Sequence, residues 1–347
     1  MIISSAIHGR AERRAAMSTS HRFLWLAVIM AVVLLLAMAS LSIGTRAVEW
    51  ADILGALYGQ VSTIGEAAAS ARIPRTLLAI LAGGSLGLAG AVMQGVTRNP
   101  LADPGLLGVN IGASLAVVVG VAWFGISSST AYIWTAITGA GATAAFVYVI
   151  GSLGRDGATP LKLTLAGAAT SIAFASLVTA IVLPRGDIAG GIRSWQIGGV
   201  GGATFERILP IMPFLAFGLL LSLASARKLN SLALGDELAT GLGEHVAWAR
   251  SLASLGAVLL CGATTAVCGP IGFVGLVVPH ACRIIVGPDH RWLLPLSMLS
   301  GSALLLSADI LGRVAARPSE LDVGIVTALL GGPFFIWIVR RQKVREL

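Results

Sequence analysis

Long uncharged apolar runs alternate with short polar connections along nearly the whole chain. A helix needs about 20 mostly apolar residues to cross a bilayer. Phe23–Thr45 and Thr76–Thr97 each supply one such run. Pro104–Gly154 carries no charge and is long enough for two, with a hinge expected near Gly125-Ile126-Ser127-Ser128-Ser129. Leu163–Pro184 and Ile208–Ala226 supply the fifth and sixth. Ser251–Cys282 is divided by Pro270, which suggests a seventh span ending near Cys268 and an eighth running past Arg283 to Gly287. Trp292–Ala308 and Val323–Val339 complete the set. The pattern predicts an all-α polytopic membrane protein with ten transmembrane helices and both termini on one side.

Composition agrees. Of 347 residues, 56% are hydrophobic and only 12% charged. A soluble domain averages about 25% charged residues, so this surface could not be covered in water. That excludes a soluble enzyme, a disordered chain and a fibrous repeat. The net charge of +8 comes from lysine and arginine, which collect in cytoplasmic loops of membrane proteins. With the N-terminus inside, sixteen of the 24 basic residues fall in cytoplasmic segments, which supports cytoplasmic N- and C-termini. The first apolar run exceeds the usual h-region of a signal peptide and reads as an anchor. Cys261, Cys268 and Cys282 lie in apolar stretches without a CxxC pair and read as packing residues. Gly83-Gly84-Ser85-Leu86-Gly87-Leu88-Ala89-Gly90 is a ridge of small residues, suited to close helix approach in lipid.

Catalytic signatures are missing. There is no GxxxxGK[ST] loop and no HExxH. No chain of Asp, Glu or His runs along the spans, as a proton-driven transporter would need. No catalytic residue, metal site or cofactor is expected in this chain. If it transports, another chain supplies the energy.

Three segments break the apolar pattern. Ala71-Arg72-Ile73-Pro74-Arg75-Thr76 is expected to open the second span, with Pro74 at the helix start. Gln94–Asn110 holds two prolines, Asn99 and Asp103, and reads as broken backbone buried in protein or lining a cavity. Leu229–Gly243 reads as two short amphipathic helices separated by glycine, a rigid feature that a soluble partner could bind.

With these segments the sequence resembles the permease subunits of binding-protein-dependent ABC importers for ferric siderophores, haem and cobalamin. The matching stretches are Arg72–Arg75, Asn99–Gly112, Ser231–Gly243, Gly269–Arg283, Asp289-His290-Arg291 and Ala308–Arg313. The resemblance runs from about Arg46 to Arg341. Leu81–Gln94, Thr97–Ser114 and Leu161–Ala168 resemble the ferric enterobactin type most.

The resemblance implies a cytoplasmic N-terminal segment (1–22), one permease domain (23–340) with coupling helices at about 229–246, and a cytoplasmic tail (341–347). It implies inverted four-helix repeats and a dimer around a central path, with a paralogous permease or a second copy. Its partners would be two P-loop ATPase subunits, which use the ATP, and an extracytoplasmic substrate-binding protein, all at a bacterial inner membrane. Arg72, Arg75 and Arg313 match arginines that receive acidic side chains of the binding protein. Asp309, one helical turn before Arg313, could instead neutralise it, and both readings stay open. Ser231, Leu232, Ala233, Leu234, Gly235, Asp236, Glu237, Leu242 and Gly243 match the helices that seat in the ATPase, with Leu232, Leu234 and Leu242 as anchors and Asp236, Glu237 and Glu244 on the polar rim. Asn110, Arg185 and Trp195 are candidates for the path or its gate. Pro184–Arg207 is equally readable as a flexible loop. His280 and Arg283 read as structural, with His280 in a hydrogen bond. Gln94, Asn99 and Asn110 are expected to satisfy broken backbone.

Overall fold

The computed structural model describes residues 18–44, 48–59, 61–153 and 159–341. The N-terminal segment and the tail therefore lie almost wholly outside the described residues, as do Arg46 and Arg155. Among the described residues every regular element is helical. The helices are α1 (Thr19–Ser42), α2 (Trp50–Leu57), α3 (Ile64–Thr97), α4 (Val109–Phe124), α5 (Ser129–Ser152) and α6 (Pro160–Val182). They continue with α7 (Gly186–Ile197), α8 (Phe205–Ile208), α9 (Met212–Ala224), α10 (Ala226–Leu232) and α11 (Asp236–Gly241). The last are α12 (Val246–Cys268), α13 (Val274–Val286), α14 (His290–Ala315) and α15 (Val323–Arg341). Short 3₁₀ turns cover Pro104–Leu107 and Leu209–Ile211.

Among the described residues seven helical segments are long and apolar enough to cross a membrane, and α4, α13 and α15 are shorter apolar helices. Polar residues fix the starts. Ser128 Oγ accepts from Ala131 N at 3.2 Å before α5, and Thr159 Oγ1 accepts from Lys162 N at 3.3 Å before α6. The hinge expected near Gly125 is present, with Gly125 at φ 62° closing α4. The split near Pro270 is present too: α12 ends at Cys268, and α13 runs from Val274 to Val286.

One boundary differs from the sequence expectation. The second span begins at Ile64 rather than Thr76, so Pro74 lies inside α3. The start is set by a capping box: Thr63 Oγ1 accepts from Glu66 N at 3.0 Å, and Glu66 Oε2 accepts from Thr63 N at 3.0 Å. This box leaves Pro74 a full two turns inside the helix, where it has no N–H to donate.

Helix α3 is the centre of the molecule. In its most apolar window 83% of residues are buried, against 11% for α1. It packs chiefly on α14, then on α12 and α13. The small-residue ridge is why. A side chain on Gly83 would strike Gly301 of α14, one on Gly87 would strike Ser297, and one on Gly90 would strike Gly275 of α13. Helices α4, α5 and α6 pack together beside this centre, and α1 covers α14 on another side. Outward-facing Leu35, Ile172, Leu177 and Leu329 are exposed, which in water would be an aggregation liability and in lipid is the solvent-matched face.

Candidate docking and coupling sites

Helix α3 carries Arg72 and Arg75 three residues apart, on neighbouring positions of one face. Arg75 Nε donates to Asp309 Oδ1 at 2.9 Å, and Arg75 Nη2 lies 2.8 Å from the same oxygen. Its Nη1 donates to Glu320 Oε2 at 2.6 Å. Arg313 Nη2 lies 2.7 Å from Asp309 Oδ2, one turn back along α14. Asp309 is therefore shared by two guanidinium groups in a fully buried setting.

The other donors converge on the end of α1. Arg313 Nη1 reaches the carbonyls of Ser40 and Ile43, both at 2.8 Å. Arg72 Nη1 reaches those of Leu41 and Ser42, both at 2.9 Å. Arg317 Nη2 reaches that of Gly44 at 2.8 Å. The last carbonyls of a helix have no partner within it, and its C-terminus carries partial negative charge. Three arginines meet both needs. Arg313 is 1% exposed and Arg72 8%, so neither is the freely projecting surface group that the sequence suggests. The pairing of Asp309 with Arg313 that the sequence left open is formed. Of Arg72, Arg75 and Arg313, Arg75 is the least buried, at 12% side-chain exposure, and its partner Glu320 is exposed.

At the other end of α3 the broken segment satisfies itself. Arg98 takes a left-handed conformation at φ 52°. Asn99 Oδ1 accepts from Leu101 N at 2.9 Å, and Asp103 Oδ1 accepts from Gly105 N at 2.8 Å. Gln94 Nε2 donates to the carbonyl of Leu276 at 3.2 Å, and its Oε1 accepts from Arg283 Nη2 at 3.0 Å. Asn110 does not serve backbone as expected: its Oδ1 accepts from Thr265 Oγ1 at 2.8 Å and from Cys261 Sγ at 3.3 Å, joining α4 to α12. His280 Nδ1 is buried without a hydrogen-bond partner. All three cysteines are buried and free.

Pro184–Arg207 is not a loop throughout; α7 fills its first half. Backbone bonds lace the end of α7 to two other helices: Gly199 N donates to Cys268 O at 2.7 Å, and Gly324 N donates to Gly198 O at 2.9 Å. Trp195 lines an open cavity of about 570 Å³ together with Tyr132, Ile133, Gly199, Arg207 and Asp322. Arg185 lies at the far end of α7, held by Asp187 at 2.9 Å and by the carbonyl of Ala122 at 3.1 Å. The Arg185 side chain holds the Asp187 carboxyl below its usual range. Gly83-Gly84-Ser85-Leu86-Gly87 spells the G-x-S-x-G of a nucleophile elbow, yet it lies in the interior of α3, without the strand-to-helix turn that exposes such a serine.

The coupling segment forms two short helices, α10 and α11, with Gly235 at φ 109° between them. Leu234, Leu238 and Leu242 are 57%, 62% and 66% exposed. Leu232, expected as an anchor for a partner, is only 1% exposed and packs inside its own chain. Leu238 takes its place on the outer face. The i, i+4 spacing of 234, 238 and 242 carried that signal in the sequence.

The model of the FecCD transport family matches residues 31–341. The chain belongs to the FecCD transport family. It is 44% identical over 308 residues to the ferric enterobactin transport system permease protein of Escherichia coli K12, covering 87% of this chain and 91% of that one. It is 40% identical over 279 residues to the hemin transport system permease protein of Yersinia pestis, covering 78% and 82%. Among solved structures it is similar to an inward-facing metal-chelate type ABC transporter, with a TM-score of 0.80, 28% identity and coverage of 92% and 99%. FecCD membership and the apolar helices make this a multi-pass membrane protein, and its named relatives are permease subunits rather than enzymes.

Proposed function

We propose that this chain is the permease of an ATP-driven, binding-protein-dependent importer that carries a ferric siderophore, of the catecholate type, by alternating access. The observation that carries the reading is the coupling segment, two short helices outside the spanning runs that present three leucines outward. A hydrophobic helix face of this kind fits a cleft in a soluble partner. In this reading the partner is one of two ATPase subunits, and residues 23–340 form a single ten-helix permease domain with cytoplasmic termini. A paralogous permease, or a second copy, completes the path.

The arginine cluster is the docking point for an extracytoplasmic binding protein. Arg75 meets its carboxylates, while Arg72 and Arg313 hold the site from beneath. Charge pairing at such a rim governs docking geometry and rate more than affinity. Trp195, Arg185 and Asn110 are assigned to the path or its gate, on the position of Trp195 in the open cavity. The catecholate assignment rests on likeness to the enterobactin permease. The hemin relative supports haem as the second reading.

The test is ATP hydrolysis and uptake by the complex co-purified with its ATPase and reconstituted in lipid. Its binding protein is loaded in turn with a ferric catecholate, another ferric siderophore, haem or cobalamin. Stimulation and uptake with the catecholate are expected. Response to haem alone would change the substrate, and no co-purifying ATPase would refute the importer.

A further inference from the structure

The coupling helices are tied to the transmembrane helices by two polar contacts. The first is Asp236, at the start of α11. Its Oδ1 lies 2.9 Å from Arg98 Nη2 and accepts from Arg250 Nη2 at 3.2 Å, with Oδ2 at 3.3 Å from the same nitrogen. Arg98 is the left-handed residue that closes α3. Arg250 lies near the start of α12, with a side chain only 6% exposed. One carboxylate therefore joins α11 to two of the helices at the centre of the molecule. The second tie is Asn230 of α10. Its Nδ2 donates to Asp289 Oδ1 at 2.7 Å, and its Oδ1 accepts from His290 N at 2.9 Å. Asp289 is the N-cap of α14.

The same two short helices turn Leu234, Leu238 and Leu242 away from the chain. Apolar contacts resist compression but have no direction. Charge-assisted hydrogen bonds fix direction and register. A segment pushed on its leucine face would slide over an apolar support, whereas a carboxylate held by two guanidinium groups carries the displacement into α3 and α12.

We propose that Asp236 is the positioning residue that transmits movement of the coupling helices to α3 and α12, and so links ATP hydrolysis to opening of the path. This rests on the importer reading and deepens it: Asp236 faces inward to its own chain instead of forming a rim against the ATPase. Its side chain is 46% exposed, so exchange for asparagine is compatible with folding.

The experiment uses the whole complex in proteoliposomes, with ATP hydrolysis and uptake of a ferric catecholate measured together. For Asp236→Asn, an assembled complex with about a tenfold fall in chelate carried per ATP hydrolysed is expected, within the usual range of coupling between sites. Asp236→Glu restores the ratio. Arg98→Gln, outside the coupling segment, lowers it in the same way. An unchanged ratio in both Asp236→Asn and Arg98→Gln would overturn the proposal. So would failure of both variants to assemble, because the bridge would then be a folding contact. Wild-type complex that neither hydrolyses ATP nor imports would instead remove the importer reading, and the transmission role with it.

Discussion

Asp309 is the residue on which the outer cluster depends. It is fully buried between Arg75 and Arg313, and of these Arg313 also holds the end of α1, together with Arg72. Removing one member of a buried charge group leaves the rest uncompensated and costs about 3–5 kcal/mol. Asp309→Asn is therefore expected to lower the thermal unfolding temperature of the purified protein markedly. An unchanged midpoint would mean that water already reaches the cluster. Arg72, Arg75 and Arg313 were legible in the sequence as a set, but not their surroundings. Basic residues at span ends suggest an exposed rim, and nothing local reveals that the carbonyls of Ser40, Leu41, Ser42 and Ile43 would turn toward them. That information lies in tertiary pairing: Arg75 and Asp309 are 234 positions apart.

At the scale of elements, uncharged runs located the spanning helices well because lipid demands both length and apolarity. They located the start of α3 poorly. A charge-free window cannot see a helix that continues through Arg72 and Arg75, whereas the Thr63–Glu66 capping box could have marked it. The glycine ridge was read correctly as a packing surface. It makes an internal comparison possible. A side chain at Gly90 meets backbone of Gly275, while one at Gly141 in α5 meets nothing within 4 Å. Gly90→Leu is expected to destabilise by about 1–3 kcal/mol or more through overpacking. Gly141→Leu is expected to leave the unfolding midpoint nearly unchanged, and equal shifts would argue against the α3–α13 contact. The two short helices α10 and α11 were legible from an amphipathic pattern broken by glycine, except that Leu232 turned inward and Leu238 outward. Leu234→Asp places a charge on the outer face and is expected to abolish co-purification of the ATPase, with the permease itself still folded.

For the molecule as a whole, orientation is the property most directly open to test. From the bias of basic residues, α11 is expected inside and α7 outside. Since the native cysteines are buried, single substitutions can report sidedness. In intact cells a membrane-impermeant maleimide should label Gly190→Cys and spare Leu242→Cys until the membrane is opened; the reverse pattern would invert the topology. The centre of the molecule also imposes an order on its making. Helix α3 leaves the ribosome early, but the carboxylate that receives Arg75 is encoded 234 residues later. At about 5–20 residues per second, the arginine waits roughly ten to fifty seconds for it. During that interval it must stay at the headgroups or in water, as long basic side chains do near a bilayer. A chain cut short before α14 keeps that arginine without its acid, and is the form that a membrane quality-control protease would meet as unfinished.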